Sequence, residues 1–208
     1  MITIVDYGMG NIGSVANILK KIGHRASVTG DPEAVAGANR LILPGVGHFA
    51  AGMKALEEGG LRAALDEAVL RRGVPVLGIC LGMQLMTEHS EEGDAEGLGW
   101  VRARAVRFSP ERLGDTLPIP HMGWNHVEAV KAGAGVPGFD AETRFYFVHS
   151  FHTVCERPED VLTRTTYGHP FDSSFEVGNV CGVQFHPEKS HSFGMGFLRS
   201  YLGEREGA

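Results

Sequence analysis

The sequence is poor in cysteine. Three cysteines occur among 208 residues, at positions 80, 155 and 181, and no two form a Cys-x-x-Cys pair. An odd number without close pairs argues against a disulfide framework and against a structural zinc site. No metal ion or other cofactor is therefore expected.

Positive charge and long apolar segments are also scarce. The net charge is −6 at pH 7, and no cluster of lysine and arginine supplies the attraction that nucleic-acid binding requires. No apolar run is long enough to span a bilayer, and the chain begins on a strand-like segment without a basic leader. We expect a cytoplasmic protein that binds neither nucleic acid nor membrane.

Glycine, by contrast, is abundant, with 29 residues, which indicates many tight turns and close backbone approaches. The length fits one domain over residues 1–208. In the first half, apolar segments alternate with helical patterns, which predicts an α/β fold with a mostly parallel open sheet flanked by helices. After Gly99, strand and turn patterns predict added antiparallel strands in the C-terminal half.

The residue patterns also predict individual elements. Strands are expected at 2–7, 25–29, 40–43, 74–79, 100–108, 125–130, 145–148, 161–166, 174–177 and 180–185. Helices are expected at 14–22, from Asp31 onward, and at 49–57, 61–72, 81–89 and 192–202.

Cys80 lies where an apolar strand pattern meets a helical pattern. The segment Gly78-Ile79-Cys80-Leu81-Gly82 has the form of a nucleophile elbow, in which flanking glycines permit a sharp, strained turn. The amide of Leu81 and the start of the following helix favour thiolate over thiol. The alternative is a small buried core cysteine, which is the commoner environment of a free cysteine.

A base and an orienting acid follow near the C terminus. An alternating apolar strand leads to His186, and Glu188 follows beyond Pro187. A thiolate nucleophile needs a base for its proton, and the base needs an anion that orients its ring. Cys80, His186 and Glu188 therefore predict a catalytic triad, whereas His186 alone would be interpreted as a structural strand-end histidine.

A second glycine pattern, Gly8-x-Gly10-x-x-Gly13, follows the first strand and has the form of a dinucleotide fingerprint. No acidic residue stands at the end of a second strand to bind a ribose. We interpret the pattern as an ordinary strand-to-helix loop.

Over essentially its whole length, the chain resembles the class I, or triad, glutamine amidotransferases. The family signature is Gly-x-Cys-x-Gly-x-Gln followed by His-Pro-Glu, here residues 78–84 and 186–188. Residues 44–47, 120–125 and 145–150 are similar to one branch of the family, the glutaminase subunits of imidazole glycerol phosphate synthase.

The resemblance implies hydrolysis of L-glutamine to glutamate and ammonia through a glutamyl thioester on Cys80. It also implies a heterodimer with a separate (βα)₈-barrel cyclase subunit, which would receive the ammonia. That step of histidine biosynthesis yields imidazole glycerol phosphate and aminoimidazole carboxamide ribotide.

The resemblance further implies an oxyanion hole formed by the amides of Leu81 and of Val46 or Gly47. Because glycines flank Val46, its peptide is expected to flip toward the site only when the partner and its substrate bind. The alternative is a rigid turn that packs near the site.

Four side chains are expected at the substrate: Gln84, Glu92, Ser150 and Phe151. Gln84 would bind the amide or α-amino group, unless it is a solvent-facing helix residue. Glu92 would pair with the α-ammonium group, unless it belongs to an ordinary acidic face. Phe151 stands where the family has a tyrosine, which leaves a hydroxyl role there in doubt.

Trp124, with Asn125 and His121, is expected at the partner interface. A tryptophan between glycine and asparagine lacks the apolar periodicity of a core anchor, and aromatic anchors are enriched in interfaces. The alternative is a core tryptophan under a loop. His149 is expected to pack at a strand end rather than act as a second base.

Other functions stay open from the sequence. A hydrolase of another substrate on the same fold, such as a γ-glutamyl hydrolase, is the nearest. The glutaminase of another amidotransferase branch and a non-catalytic interaction module on the same scaffold are the others.

Overall fold

The computed structural model describes residues 1–114, 117–133, 135–136 and 139–203. The strands are β1 (Ile2–Val5), β2 (Ala26–Thr29), β3 (Leu41–Gly45), β4 (Val76–Cys80), β5 (Thr87–Ser90), β6 (Ala95–Glu96), β7 (Val101–Arg107), β8 (His121–His126), β9 (Glu128–Ala129), β10 (Arg144–His149), β11 (Phe151–Cys155), β12 (Val161–Tyr167), β13 (His169–Val177) and β14 (Val180–Val183). The α-helices are α1 (Ile12–Lys21), α2 (Pro32–Ala36), α3 (Phe49–Glu58), α4 (Leu61–Asp66), α5 (Leu81–Leu85), α6 (Pro110–Leu113) and α7 (His191–Tyr201). A π-helical turn, Glu67–Arg71, continues α4, and 3₁₀ turns lie at Pro158–Asp160 and Pro187–Lys189.

The parallel strands form one half of the main sheet, in the order β2-β1-β3-β4-β14. Beyond β14 the order continues through β13, β11 and β7 with antiparallel pairing. Strands β8 and β10 form a separate antiparallel pair. The predicted α/β sheet with antiparallel strands from the C-terminal half is confirmed.

The central parallel strands carry the core. Every residue of β1, β3, β4 and β14 is buried, as expected for parallel strands covered on both faces. One apolar layer includes α3 and α4, and the other includes α1 and α7. Since β3, β4 and β14 run side by side in one direction, their carboxyl ends meet at one edge, where α/β folds bind ligands.

The helix predicted at 81–89 is wrong in its second half, because α5 ends at Leu85 and residues 87–90 form β5. The carbonyl of Leu85 accepts a hydrogen bond from the amide of Leu98, and that of Met86 accepts from Trp100. These bonds from a distant segment replace the next turn of the helix. The sequence reading also missed β11.

Within the described ranges, no helix combines the length and apolar character needed to cross a membrane.

Candidate active site

Cys80 sits at the junction of β4 and α5 with φ 54° and ψ −109°, a strained conformation for a residue with a side chain. The glycines beside it serve close packing. A β-carbon on Gly82 would overlap the carbonyl of Leu43, and one on Gly78 would overlap the backbone of Gly82. The elbow therefore concentrates the strain at the thiol-bearing residue.

His186 and Glu188 form a buried pair behind the elbow. The Nδ1 atom of His186 lies 2.7 Å from Oε1 of Glu188, and both side chains are 1% exposed. Pro187 begins the 3₁₀ turn that directs both side chains to one place. Such a short contact fixes the ring of His186 and its Nδ1–H tautomer.

The electrostatics of this pair favour a charged imidazole. Burial alone would lower the pKa of His186, but the charge of neighbouring Cys80 and the contact with Glu188 raise the pKa to about 10. The Nε2 atom makes no hydrogen bond within the described part of the chain. The sulfur of Cys80 nevertheless lies close enough to the ring to raise the pKa of His186.

Two groups that the sequence reading missed complete the surroundings of the thiol. The amide Nε2 of Gln184 lies 3.7 Å from the sulfur of Cys80, and the carbonyl oxygen of Val148 lies 3.9 Å from it. Gln184 precedes His186 by two residues, so in an extended chain the two side chains share one face. That spacing was a usable signal, whereas the contact with Val148 depends on tertiary packing.

The other two cysteines lack such a setting. Burial, with nearby carboxylates adding to it, raises the pKa of Cys155 to about 12. Burial also raises the pKa of Cys181. Both thiols therefore stay protonated at neutral pH and are poor nucleophiles.

A cavity of about 300 Å³ opens at the elbow, a size at the lower end of small-molecule sites. Its lining includes every residue predicted for the oxyanion hole and the substrate, together with Cys80, the predicted nucleophile. These residues are Val46, Gly47, Cys80, Leu81, Gln84, Glu92, Ser150 and Phe151. Pro120, Val148 and His149 complete the lining. The structure thus brings together residues that lie up to 105 positions apart, from 46 to 151.

Gln84 and Glu92 are both fixed by contacts within the chain. Gln84 is 5% exposed, so the solvent-facing alternative is wrong; its Nε2 donates to the carbonyl of Phe151 at 2.9 Å and to Oε1 of Gln184 at 3.1 Å. Oε2 of Glu92 accepts the amide of Phe49 at 2.8 Å. Glu92 lies beyond the end of α5 and lines the cavity.

Phe151 contributes through its backbone. Its carbonyl also accepts a hydrogen bond from Nδ1 of His149 at 2.8 Å. A tyrosine hydroxyl is therefore not needed for the contacts that residue 151 makes here.

The segment Pro44-Gly45-Val46-Gly47, here called the oxyanion loop, includes the last two residues of β3, and Gly45 pairs with Cys80. Val46 and Gly47 line the cavity beside the elbow. Gly47 has φ 113°, which disfavours any side chain, and the side chain of Val46 is exposed. Peptide groups in such a loop can present amides to the cavity.

The family model of class I glutamine amidotransferases matches residues 3–199. Relatives named imidazole glycerol phosphate synthase subunit HisH 2 come from Methanococcus maripaludis, 46% identical, and from Pseudomonas aeruginosa, 45% identical. In both cases the match covers 97% of this chain and 98% of the relative. A relative named subunit HisH from Sulfurimonas denitrificans is 45% identical over 99% of both chains.

The chain belongs to the HisH family of class I glutamine amidotransferases. Solved structures agree in fold. A PurLQS structure from Thermotoga maritima has a TM-score of 0.73 at 19% identity, covering 97% of this chain and 96% of that one. A putative GMP synthase subunit from Thermoplasma acidophilum has a TM-score of 0.69 at 18% identity, covering 97% and 92%.

Behind the cavity of this HisH-family chain, two segments predicted from the resemblance pair with each other. In the β8–β10 ladder, His121 faces His149 and Trp124 faces Tyr146. Nδ1 of His121 lies 3.0 Å from Nε2 of His149, and Nδ2 of Asn125 lies 3.2 Å from Nε2 of His121. A hydrogen-bonded chain therefore runs from Asn125 to the cavity wall at His149.

These histidines are neutral. Burial lowers the pKa of His121 to about 4 and, with the charge of His121 adding to it, lowers that of His149 well below its usual range. His121 is 3% exposed, so its side chain does not lie on the surface of the free chain beside Trp124. The ring is enclosed instead, stacked on Phe147 and Tyr167.

Trp124 lies at the surface, 44% exposed, so the alternative of a core tryptophan is wrong. Its ring stacks on His191 at 5.6 Å with an interplanar angle of 6°. Together with Asn125 it borders a second cavity of about 530 Å³ that also includes Arg144 and Phe193.

Proposed function

We propose that this chain is the glutaminase subunit of imidazole glycerol phosphate synthase, a cytoplasmic enzyme of histidine biosynthesis. It hydrolyses L-glutamine and delivers ammonia to a (βα)₈-barrel cyclase subunit, which makes imidazole glycerol phosphate and aminoimidazole carboxamide ribotide. The observation that carries the proposal is the strained Cys80 at the cavity floor, beside a His186–Glu188 pair joined at 2.7 Å.

In the acylation step, the thiolate of Cys80 attacks the carboxamide carbon of glutamine. The C–N bond then breaks, and Nε2–H of His186 gives its proton to the departing nitrogen, which leaves as ammonia. A glutamyl thioester on Cys80 results. Glu188 stabilises the imidazolium before the transfer and keeps Nε2 directed at the reacting atoms.

In the deacylation step, neutral His186 takes a proton from water as the oxygen attacks the thioester carbon. The C–S bond breaks, glutamate leaves, and the Cys80–His186 ion pair is restored. The high pKa of His186, about 10, means that the imidazole already carries the proton that it gives to the departing nitrogen.

The oxyanion of each tetrahedral intermediate is held by backbone amides. Leu81 directly follows the nucleophile, and Val46 and Gly47 border the same cavity. Removing one such donor commonly costs about 10²–10³ in rate. We infer that the Gly45–Val46 peptide supplies its N–H only after the cyclase and its substrate bind.

The substrate's polar ends are matched by the remaining lining. Glu92 presents a carboxylate to the α-ammonium group, while its Oε2 stays on the amide of Phe49. Gln84 and residues 150–151 border the rest of glutamine. Trp124, on the exposed face of the β8–β10 pair, and its neighbour Asn125 are the proposed contacts with the cyclase.

The experiment is steady-state glutamine hydrolysis by the chain alone and with a cognate cyclase subunit loaded with its nucleotide substrate. We expect strong stimulation by the loaded cyclase. Cys80→Ala should abolish hydrolysis in both settings, since the thioester cannot form. Cys155→Ala, which removes a protonated thiol outside the cavity, is the matched control and should retain activity.

Hydrolysis that persists in Cys80→Ala would remove the triad mechanism. Full activity without the cyclase would instead leave a plain cysteine glutaminase and remove the activated-subunit assignment.

A further inference from the structure

The hydroxyl of Tyr7 is a buried polar group that forms no hydrogen bond with the described residues. Tyr7 is 7% exposed, and its oxygen has no hydrogen-bond partner among the described residues. Burying a hydroxyl without a partner destabilises a fold, so such groups call for an explanation. Phenylalanine would fill the same space without that cost.

The Tyr7 hydroxyl lies directly against the oxyanion loop. A β-carbon added to Gly45 would overlap the Tyr7 oxygen, and it would also stand 2.8 Å from Cβ of Leu81 and 2.9 Å from the amide nitrogen of Gly82. Tyr7 therefore borders the same glycine that packs against the first turn of α5. This neighbourhood arises because β1 pairs with β3 in the sheet.

The glycine-rich loop that follows Tyr7 packs on the same segment. A β-carbon on Gly10 would stand 3.3 Å from the carbonyl oxygen of Pro44, and one on Gly47 would stand 2.8 Å from the methyl carbon of Met9. Gly10 thus has a packing role that a dinucleotide fingerprint does not describe. It lets the β1–α1 connection lie close behind the oxyanion loop.

Tyr7 is confined to the role of a neutral donor. Burial, and secondarily the charge of Cys80, raises the pKa of Tyr7 well above its usual value. The hydroxyl keeps its proton at every pH at which the enzyme would work. The partner that it lacks is therefore an acceptor, such as a peptide carbonyl.

We propose that Tyr7 is a positioning residue for the oxyanion loop. Its hydroxyl donates a hydrogen bond to the Gly45 carbonyl when the Gly45–Val46 peptide directs its N–H at the oxyanion. The N–H and C=O of a trans peptide point in opposite directions. Turning the amide toward the cavity therefore turns the carbonyl toward the protein interior, where a buried carbonyl needs a donor. The Tyr7 O–H satisfies it, and this inference rests on the proposed function.

The test is Tyr7→Phe in the full chain, measured with and without the cognate cyclase loaded with its nucleotide substrate. The stimulated kcat should fall about tenfold, the worth of one hydrogen bond, while KM for glutamine changes little. The thermal midpoint of the free chain should stay the same or rise, because an unpaired buried hydroxyl has been removed. A loss of activation with no loss of stability is not expected of a residue that only supports the fold.

Tyr201→Phe is the matched control. The Tyr201 hydroxyl is also buried without a hydrogen-bond partner in the described part of the chain, but its ring packs under Arg40 near the end of α7. Its removal should affect the thermal midpoint in the same direction and leave the stimulated kcat unchanged.

Stimulation of Tyr7→Phe equal to that of the wild type would overturn the proposal. So would a lowered thermal midpoint with a proportional loss of stimulated and unstimulated activity, since the hydroxyl would then be serving the resting fold. If the wild type itself shows no stimulation by the loaded cyclase, the proposed function is contradicted, and this inference is contradicted with it.

Discussion

At the scale of single residues, the proposed mechanism depends on the contact between Glu188 and His186. A carboxylate at 2.7 Å from Nδ1 orients the ring, and its negative charge helps to keep the pKa of His186 at about 10. Both side chains are buried, so water does not screen the interaction, and removal of the charge has a large effect.

Glu188→Gln keeps the size of the side chain and removes the charge. We expect kcat of the cyclase-stimulated reaction to fall on the order of 10³–10⁴, by analogy with other triads whose acid is neutralised, with little change in KM. Glu159→Gln, in an exposed turn, is the matched control and should leave kcat unchanged. A decrease below about tenfold would contradict the orienting role of Glu188.

The same substitution changes how stability depends on pH. The folded pKa of His186, about 10, exceeds the usual value of about 6.5 for an unfolded chain. The stabilisation that charged His186 adds to the free energy of unfolding is therefore complete below about pH 6.5 and is lost as the pH rises toward about 10. Urea unfolding across this window should show a shallower alkaline loss in Glu188→Gln, because the pKa of His186 falls. An unchanged dependence of the free energy of unfolding on alkaline pH would mean that Glu188 does not raise the pKa of His186.

Among single residues, the sequence was most informative where the chemistry is local. Residues 78–84 and 186–188 each form a short motif, and each motif can be recognised whatever the number of residues between them. The contacts of Tyr7 and Val148 could not be predicted in this way. They arise from which strands lie side by side, and strand order is not written in any one segment.

At the scale of elements, the junction of β4 and α5 depends on backbone atoms that approach one another without side chains between them. A β-carbon on Gly82 would overlap the carbonyl oxygen of Leu43 on the neighbouring strand. Backbone cannot move aside as a flexible side chain can, so the elbow and β3 would have to separate.

Gly82→Ala is therefore expected to destabilise the chain by more than about 3 kcal/mol, at the upper end of single-substitution effects. Gly13→Ala is the matched control, since a β-carbon there meets nothing within 4 Å and the residue lies in α1. It should stabilise the chain by about 0.5–1 kcal/mol. Chemical denaturation measures both, and equal stabilities for the two variants would contradict the packing described for the elbow.

Element boundaries were predicted well where periodicity decides them and badly where distant partners do. The helix α1 and the strands β1 to β4 differ from their predicted bounds by only a few residues. The segment after Leu85 has a helical pattern, yet hydrogen bonds from Leu98 and Trp100 stop the helix. A pattern within one segment carries no information about such partners.

At the scale of the whole molecule, the cavity and the proposed interface are joined through the β8–β10 pair. Asn125 contacts His121, His121 contacts His149, and His149 lies at the cavity wall. The surface that includes Trp124 and the wall that includes His149 thus belong to one two-stranded unit. The exposed and buried faces of that unit follow from sheet pairing, which the sequence does not show. Trp124 lies at the surface as predicted, whereas the side chain of His121 is buried.

The proposed mechanism requires that Cys80 forms a glutamyl thioester. The most direct measurement is intact-protein and peptide mass spectrometry of the cyclase-stimulated complex, quenched in acid during turnover of glutamine. We expect a glutamyl adduct on the peptide that contains Cys80. The adduct should be absent from Cys80→Ala and enriched when deacylation is slowed. Rapid hydrolysis with no adduct in any variant, or an adduct on Cys155 or Cys181 instead, would contradict it.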